Sequence, residues 1–251
     1  MVETFRKCPA EPHSAEAEAA GLRWLREASE AVARVHAVTG NCLETINIHT
    51  VRPSPEAARR AGRELALIHR AGAPAFGSPP AGWEGPNYIG TQRQECTPTA
   101  HWGQFYAQQR VLPFARAAQR RGNLSPAGLE LVERAATSIS TGEWDITPAR
   151  IHGDLWAGNL LFGEQGPVFI DPAAHGGHPQ TDLAMLDLFG APHLAEIRAG
   201  YQEITALPAG WLEFTAVHQL HPLAVHTLTH GAGYAPALMN AARKTLELLP
   251  G

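Results

Sequence analysis

Lysine is almost absent. Of 251 residues only Lys7 and Lys244 carry an ammonium group, and every other basic side chain is an arginine or a histidine. The net charge of -4 and the lack of any Lys/Arg-rich run exclude the usual electrostatic footprint of a nucleic-acid binder. Cysteine is scarce too. Cys8, Cys42 and Cys96 are scattered and odd in number, which argues against a disulfide framework and against a cysteine-based zinc site. Cys8 and Cys42 then read as small buried hydrophobes. No apolar run is long enough to cross a bilayer, and the N-terminus lacks the basic-then-apolar order of a signal peptide. Internal repeats and low-complexity segments are missing as well. The expectation is a reduced, cytoplasmic protein with no membrane or nucleic-acid partner.

Caps and breakers divide what remains. Pro9 and Pro12 interrupt residues 1–13. Ser14 is placed to cap a helix through Leu22 and Leu25. Val35 to Ile48 is β-branched around Gly40 and reads as two strands, or a strand and a connector, with a lobe boundary near residue 48. Ser54-Pro55-Glu56 starts a helix with Ala57, Ala61, Leu65 and Ile68 on one face. Residues 72–100 are rich in Gly and Pro and read as one long ordered loop. Helices follow from about Trp102 to Arg121 and from Ser125-Pro126. Residues 151–171 read as a loop and a hairpin turning at Gly163-Glu164-Gln165-Gly166. From Asp182 the pattern is helical, with breaks expected at Pro192, Pro208 and Pro222.

The chemistry concentrates in Ile151-His152-Gly153-Asp154-Leu155-Trp156-Ala157-Gly158-Asn159 and, after an apolar strand, Phe169-Ile170-Asp171-Pro172. Two acids and an amide at this spacing suit phosphoryl transfer in the manner of protein-kinase-like enzymes. One group accepts the hydrogen bond of an attacking hydroxyl, and two hard oxygen donors hold magnesium against phosphates. Asp, Asn and Gly also abound in plain turns, but that reading weakens once the second acid follows its strand. Elsewhere, His226 and His230 could share a helix face, yet no Glu completes a His-Glu-x-x-His pattern, so packing or pocket roles suit the cluster His218, His221, His226 and His230 better than zinc. Trp83, Asn87, Trp102, Trp156 and Trp211 are candidates to line a sugar cleft, with core packing the competing role for each tryptophan.

His152-Gly153-Asp154-Leu155-Trp156-x-Gly158-Asn159, Ile170-Asp171-Pro172-Ala173 and Gly177-His178-x-x-x-Asp182-Leu183-Ala184-Met185 resemble the fructosamine (ketosamine) kinase family. So do Asn87-x-Ile89-Gly90, Trp102-x-x-Phe105-Tyr106-x-x-x-Arg110, Pro208-x-Gly210-Trp211 and Gln219-Leu220-x-Pro222-Leu223-x-Val225-His226, so the resemblance covers nearly the whole chain. It implies an α+β, protein-kinase-like two-lobed fold, with a truncated N-terminal sheet lobe over residues 1–48 and a mainly helical lobe over 49–251. It also implies an ATP- and Mg2+-dependent kinase that phosphorylates a sugar hydroxyl of a ketosamine, free or protein-bound, in protein repair. In that scheme Asp154 is the catalytic base, and Asn159 and Asp171 are the magnesium ligands. Asp182 braces the catalytic loop and His152 packs beneath it. Lys7, paired with Glu18, holds the ATP phosphates, and Leu43-Glu44 forms the adenine hinge. Asn87, Trp102, Trp156, His178 and Trp211 would contact substrate.

The family places two strands and a phosphate-covering loop upstream of the lysine strand, where this sequence has six residues. The expectations are a natural protein that begins earlier, or a truncated homologue with weakened nucleotide binding. A partner, including a second copy in a homo-oligomer, would otherwise cover the bared sheet. Two other functions compete with the ketosamine kinase: a catalytically impaired homologue acting as a binding or regulatory module, and an aminoglycoside or other small-alcohol phosphotransferase. The departures at Cys96, His175 and Gln180, where the family commonly has Asn, Tyr and Glu, fall on the substrate side.

Overall fold

A computed structural model describes residues 3–250. It begins with a small antiparallel sheet in the order β1-β3-β2, formed by β1 (Thr4–Lys7), β2 (Val35–Thr39) and β3 (Cys42–Ile46), with α1 (Ser14–Arg26) between the first two strands. Ser14 is not the cap of α1 but its first helical residue; His13 precedes it in the left-handed region with no side-chain cap bond. The capping acceptor comes from the β2–β3 turn instead. Asn41 Oδ1 accepts from the Ala15 N–H at 3.2 Å, while its amide donates to the carbonyls of Pro9 at 2.6 Å and Glu11 at 2.7 Å. One side chain thereby ties the hairpin to the strap that carries β1 into α1.

The register sets Lys7 opposite Leu43, so Cys8, one residue further out, falls beside Cys42. The two form a disulfide. This corrects both expectations for these cysteines: Cys8 is exposed and Cys42 half-buried, so neither is a core hydrophobe. Spacing hid the pair, because a separation of 34 residues becomes adjacency only through the sheet. Cross-linking a loop of this length is expected to stabilise the fold by about 3–5 kcal/mol. Denaturant unfolding should show that loss in Cys42→Ser and in the wild type reduced with a dithiol, but no further loss when the variant is reduced. Equal stability in all samples would rule the contribution out.

The helical part opens with α2 (Pro55–Arg70), capped by Ser54, whose hydroxyl accepts from the Ala57 N–H at 3.1 Å. Residues 72–100 are not one loop: β4 (Asn87–Ile89) and β5 (Gln92–Gln94) make a hairpin turning at Gly90 and Thr91. Three-residue polar strands leave too little alternation to read from sequence. Next come α3 (Trp102–Phe105), a π-helical turn over Tyr106–Val111 and α4 (Leu112–Arg120), continuous along the expected helix. Then α5 (Pro126–Thr141) is capped by Ser125, whose hydroxyl accepts from the Gly128 N–H. The catalytic-looking stretch lies on β6 (Ala149–Ile151), β7 (Leu160–Gly163), β8 (Gly166–Phe169) and β9 (His175–Gly177), paired as β6–β9 and β7–β8. The C-terminal helices are α6 (Gln180–Leu188), α7 (Leu194–Ile204), α8 (Thr215–His230) and α9 (Ala235–Leu248).

Pro222 does not break the chain as expected but lies inside α8. A proline there withholds the N–H that the carbonyl four residues back requires. That carbonyl belongs to His218, and the Tyr106 hydroxyl donates to it at 2.7 Å. The π turn places Tyr106 at this spot, where it is fully buried.

Two apolar clusters fill the interior. One joins α3, α4, α5, α8 and α9. The other runs from Leu22, Leu25 and Leu43 through Leu65 and Ile68 to Phe169, Leu183 and Tyr201, so it spans both sides of residue 48. Helices α2 and α7 touch backbone to backbone within it, since a Cβ on Gly62 would overlap Ile197 and one on Gly200 would overlap Arg59. That close approach brings His69 of α2 against Tyr201 of α7.

Candidate active site

Residues 152–159 leave β6 as a loop that returns through a short 3-10 turn into β7. Its entry is fixed by Asp182, near the start of α6 and 1 % exposed. The two carboxylate oxygens accept the backbone N–H groups of His152 at 2.8 Å and Gly153 at 2.9 Å. His69 donates its Nε2–H to the same carboxylate at 3.0 Å, and its Nδ1 meets the Tyr201 hydroxyl at 2.9 Å. Burial alone would raise the Asp182 carboxyl, but the hydrogen bond and charge of His69, with the Gly153 N–H, hold it below the usual carboxylate range. His69 and Tyr201 were not foreseen. The available signal was a histidine four residues beyond Leu65 on the apolar face of α2, a position that demands a buried partner.

His152 lies beneath the loop, donating Nε2–H to the Ile170 carbonyl at 2.8 Å and accepting the Asp154 N–H at Nδ1. Burial lowers its pKa, which keeps the ring neutral. Gly153 adopts φ +81, and a Cβ there would strike the Ala173 carbonyl. Only glycine meets both demands.

Asn159 commits its amide nitrogen to the Asp154 carbonyl at 2.8 Å and to Asp154 Oδ2 at 3.2 Å, which leaves its side-chain oxygen for another donor or a cation. Asp171 follows β8 in the left-handed region, at φ 53, which Asp tolerates better than most side chains. Its Oδ1 lies 2.9 Å from Lys7 Nζ, and Glu18 Oε2 lies 2.5 Å from the same ammonium. Burial by itself would lower the Lys7 pKa; Glu18 and Asp171 outweigh it and hold the ammonium charged. The Glu18 pKa is raised as well, which for a carboxyl favours the neutral form. Burial, with Asp171 adding to it, pushes its carboxyl up to about 7 against the pull of Lys7. One ammonium serves two carboxylates, and the more buried of them bears the desolvation. Asp154 is likewise pushed up to about 7, chiefly by burial and then by Asp171 and Asp182, with the Asn159 hydrogen bond opposing. A base poised near neutrality suits proton transfer at physiological pH.

Two cavities meet at these residues. A slot of about 190 Å³ is walled by Phe5, Leu22, Ala33, Leu43, residues 45–48, Leu161 and Ile170, and it ends at Lys7, Glu18 and Asp171. An open cleft of about 590 Å³ includes Lys7, Glu18, Asn87, Tyr88, Asp154, Trp156, Asn159 and Asp171. Glu44, expected at the hinge, lies within β3 near Arg6, and the slot is walled instead by its neighbours. Of the five expected substrate contacts, Asn87 and Trp156 line the cleft. Asn87 is already engaged, donating to Ala174 and accepting from Gln94. Trp102 is 1 % exposed, stacked on Tyr106 and edge-on to Trp144 and His178, so it belongs to the core with His178. Trp211 lies under the Arg198 guanidinium. Trp156, by contrast, is 42 % exposed, its indole held over Gly158, where a Cβ would overlap the ring.

The donors fit magnesium rather than zinc: one carboxylate and one amide oxygen, with room for phosphate oxygens and water. Among the described residues no cluster of three or more His, Cys, Asp or Glu side chains is placed to hold a metal.

A small sheet over a helical body, with Asp154, Asn159 and Asp171 beneath a lysine strand, is the architecture of the kinase-like small-molecule phosphotransferases. An AMP-bound spectinomycin phosphotransferase shares it, with TM-score 0.61 and 12 % identity over 100 % of this chain and 85 % of that one. More specifically, a model of the fructosamine kinase family matches residues 7–248, and the chain belongs to that family. A crystal structure from Thermobifida fusca, of a protein assigned as a fructosamine-3-kinase, superposes with TM-score 0.91 at 42 % identity, over 98 % of this chain and 86 % of that one. A probable ketoamine kinase of Synechocystis is 33 % identical over 192 residues, 75 % of this chain and 62 % of its own length. One from Thermus thermophilus is 30 % identical over 244 residues, 96 % and 85 % respectively. The match thus spans less than two thirds of the first of these relatives.

Proposed function

We propose that the chain is an ATP-dependent kinase that transfers a phosphoryl group to a sugar hydroxyl of a ketosamine. The observation that carries this reading is that one trio, Lys7, Glu18 and Asp171, lines both cavities. A largely apolar slot and an open cleft carrying the acidic side chains therefore meet at one ammonium. A purine suits the first and a polyol the second. Residues 1–48 would supply the nucleotide side and residues 49–251 the acceptor side and the base.

In the mechanism, Lys7 orients the nucleotide phosphates, held in aim by Glu18. Asp154 accepts the hydrogen bond of the acceptor hydroxyl and turns its oxygen toward the γ-phosphorus. The new P–O bond forms as the bond to the β-phosphate oxygen breaks, ADP leaves, and the hydroxyl proton passes to Asp154. Magnesium, bound by the Asn159 oxygen and Asp171, would neutralise charge on the phosphates. The cleft opens beside exposed Trp156, so a sugar on a protein side chain has access, and repair of glycated proteins is the role we infer. Among the described residues no helix is long and apolar enough to cross a membrane. A cytoplasmic setting fits this chemistry, although cellular thiols would there act on Cys8–Cys42.

Calorimetry with Mg-ATP and a coupled ADP-release assay with a fructosyl amine test the proposal. Heat of binding and acceptor-dependent ADP release are expected. No binding by this chain, nor by any version extended upstream, would overturn it, and an aminoglycoside preferred to the ketosamine would replace the substrate.

A further inference from the structure

Trp156 lines the cleft and begins a series of aromatic rings that runs on beyond the cleft's own lining. Its ring meets Phe189, just past α6, edge-on with centroids 6.4 Å apart. Phe189 meets His226 of α8 at 4.8 Å. His226 stacks on His230 at 4.9 Å and 18°, and Tyr234, between α8 and α9, lies 5.1 Å from His226. Five aromatic rings from four places in the chain thus form one continuous series that begins two residues from Asp154. They do not lie in the fully buried core: Trp156 and His230 are exposed, and Phe189, His226 and Tyr234 are half-buried. His226 donates Nδ1–H to the Pro222 carbonyl at 2.8 Å, so its neutral ring presents Nε2 as an acceptor. The pair His226 and His230 has no carboxylate or thiol companion for a metal among the described residues.

We propose that Phe189, His226, His230 and Tyr234 extend Trp156 into a wall that binds the amine-bearing end of the ketosamine and favours acceptors whose nitrogen carries an aromatic group. The inference rests on the kinase reading and adds its acceptor preference. Charge supports this occupant. The cleft is lined by four acidic residues, Glu11, Glu18, Asp154 and Asp171, and by one lysine, Lys7, and a ketosamine nitrogen is a protonated secondary amine at neutral pH. Aromatic faces attract such a cation, and an aryl substituent adds ring-to-ring contact. The sugar hydroxyl at Asp154 and the nitrogen beside Trp156 would then lie in the order that the ketosamine skeleton imposes.

The test compares two acceptors with the same sugar, an N-benzyl and an N-methyl ketosamine, by steady-state kinetics. The wild type should prefer the benzyl acceptor by about tenfold in kcat/KM, the scale of one good aromatic contact. Phe189→Ala should cut that ratio several-fold through KM. His230→Ala, an exposed change that spares the core, should cut it less, and Tyr234→Phe should keep it. A wild type that uses both acceptors equally, or variants that retain the full preference, would overturn the wall alone. A wild type that binds Mg-ATP and phosphorylates neither would overturn the kinase reading and the wall with it.

Discussion

Asp154→Asn is expected to lower turnover by about 10²- to 10⁴-fold, the usual contribution of a positioned general base. The substitution is close to isosteric, so the loop should hold its shape. Asn159 donates to the Asp154 backbone carbonyl, which is unchanged, and an amide oxygen at position 154 can still accept its second bond at Oδ2. The brace at Asp182 reaches the loop through the backbone of residues 152 and 153, not through the Asp154 side chain. What disappears is the capacity to take a proton from the acceptor hydroxyl. Mg-ATP affinity should therefore stay within a few-fold, because the contacts expected to hold the nucleotide lie at Lys7, Asn159, Asp171 and the apolar slot. Steady-state kinetics and calorimetry on the same samples separate the two quantities. A variant within tenfold of wild-type turnover would remove Asp154 from the role of base, and a collapse of Mg-ATP binding would show that the substitution had disturbed the site rather than the chemistry.

What the sequence revealed, and what it hid, follows contact distance along the chain. The loop, hairpin and carboxylates at 152–171 are local: the residues that must converge lie within twenty positions of one another, and an apolar strand with a Gly-rich turn ensures that they do. Helix starts at Ser54 and Ser125 are local for the same reason, each a hydroxyl reaching an N–H three residues on. Asn41 as a remote cap, Cys8 against Cys42 and Tyr106 under Pro222 need the tertiary fold to bring distant residues together, and a single sequence carries no measure of that distance. The tryptophans show the same limit. Trp102 and Trp156 are alike as residue types, yet one is sealed by Tyr106, Trp144 and His178 and the other lines the cleft on Gly158.

Asp182→Ala is expected to cost about 3–5 kcal/mol of stability, since it strips a buried, charged acceptor from its partners. The N–H groups of His152 and Gly153 and the Nε2 of His69 would all lose their acceptor in a region that water does not reach. Acid should reproduce part of this effect in the wild type. The Asp182 carboxyl is depressed in the folded protein, and an unfolded Asp titrates near about 3.9. As pH falls, the unfolded chain therefore binds the proton first. The stabilisation from this group is complete above the unfolded value and is lost as pH falls below about 4 and through the folded value. Urea midpoints measured from pH 7 down to pH 3 should fall for the wild type, while Asp182→Asn should begin lower and fall less. A double-mutant cycle with His69→Ala should give a coupling of the order of 1 kcal/mol or more, as expected for groups in one buried network. If instead Asp182→Ala unfolds at the wild-type midpoint, the carboxylate is not what holds the catalytic loop. The two substitutions then discriminate between position and chemistry: Asp154→Asn should lower turnover by about 10²- to 10⁴-fold in a protein of ordinary stability. Asp182→Ala should slow turnover only because the loop that carries Asp154 is no longer held at the meeting point of slot and cleft.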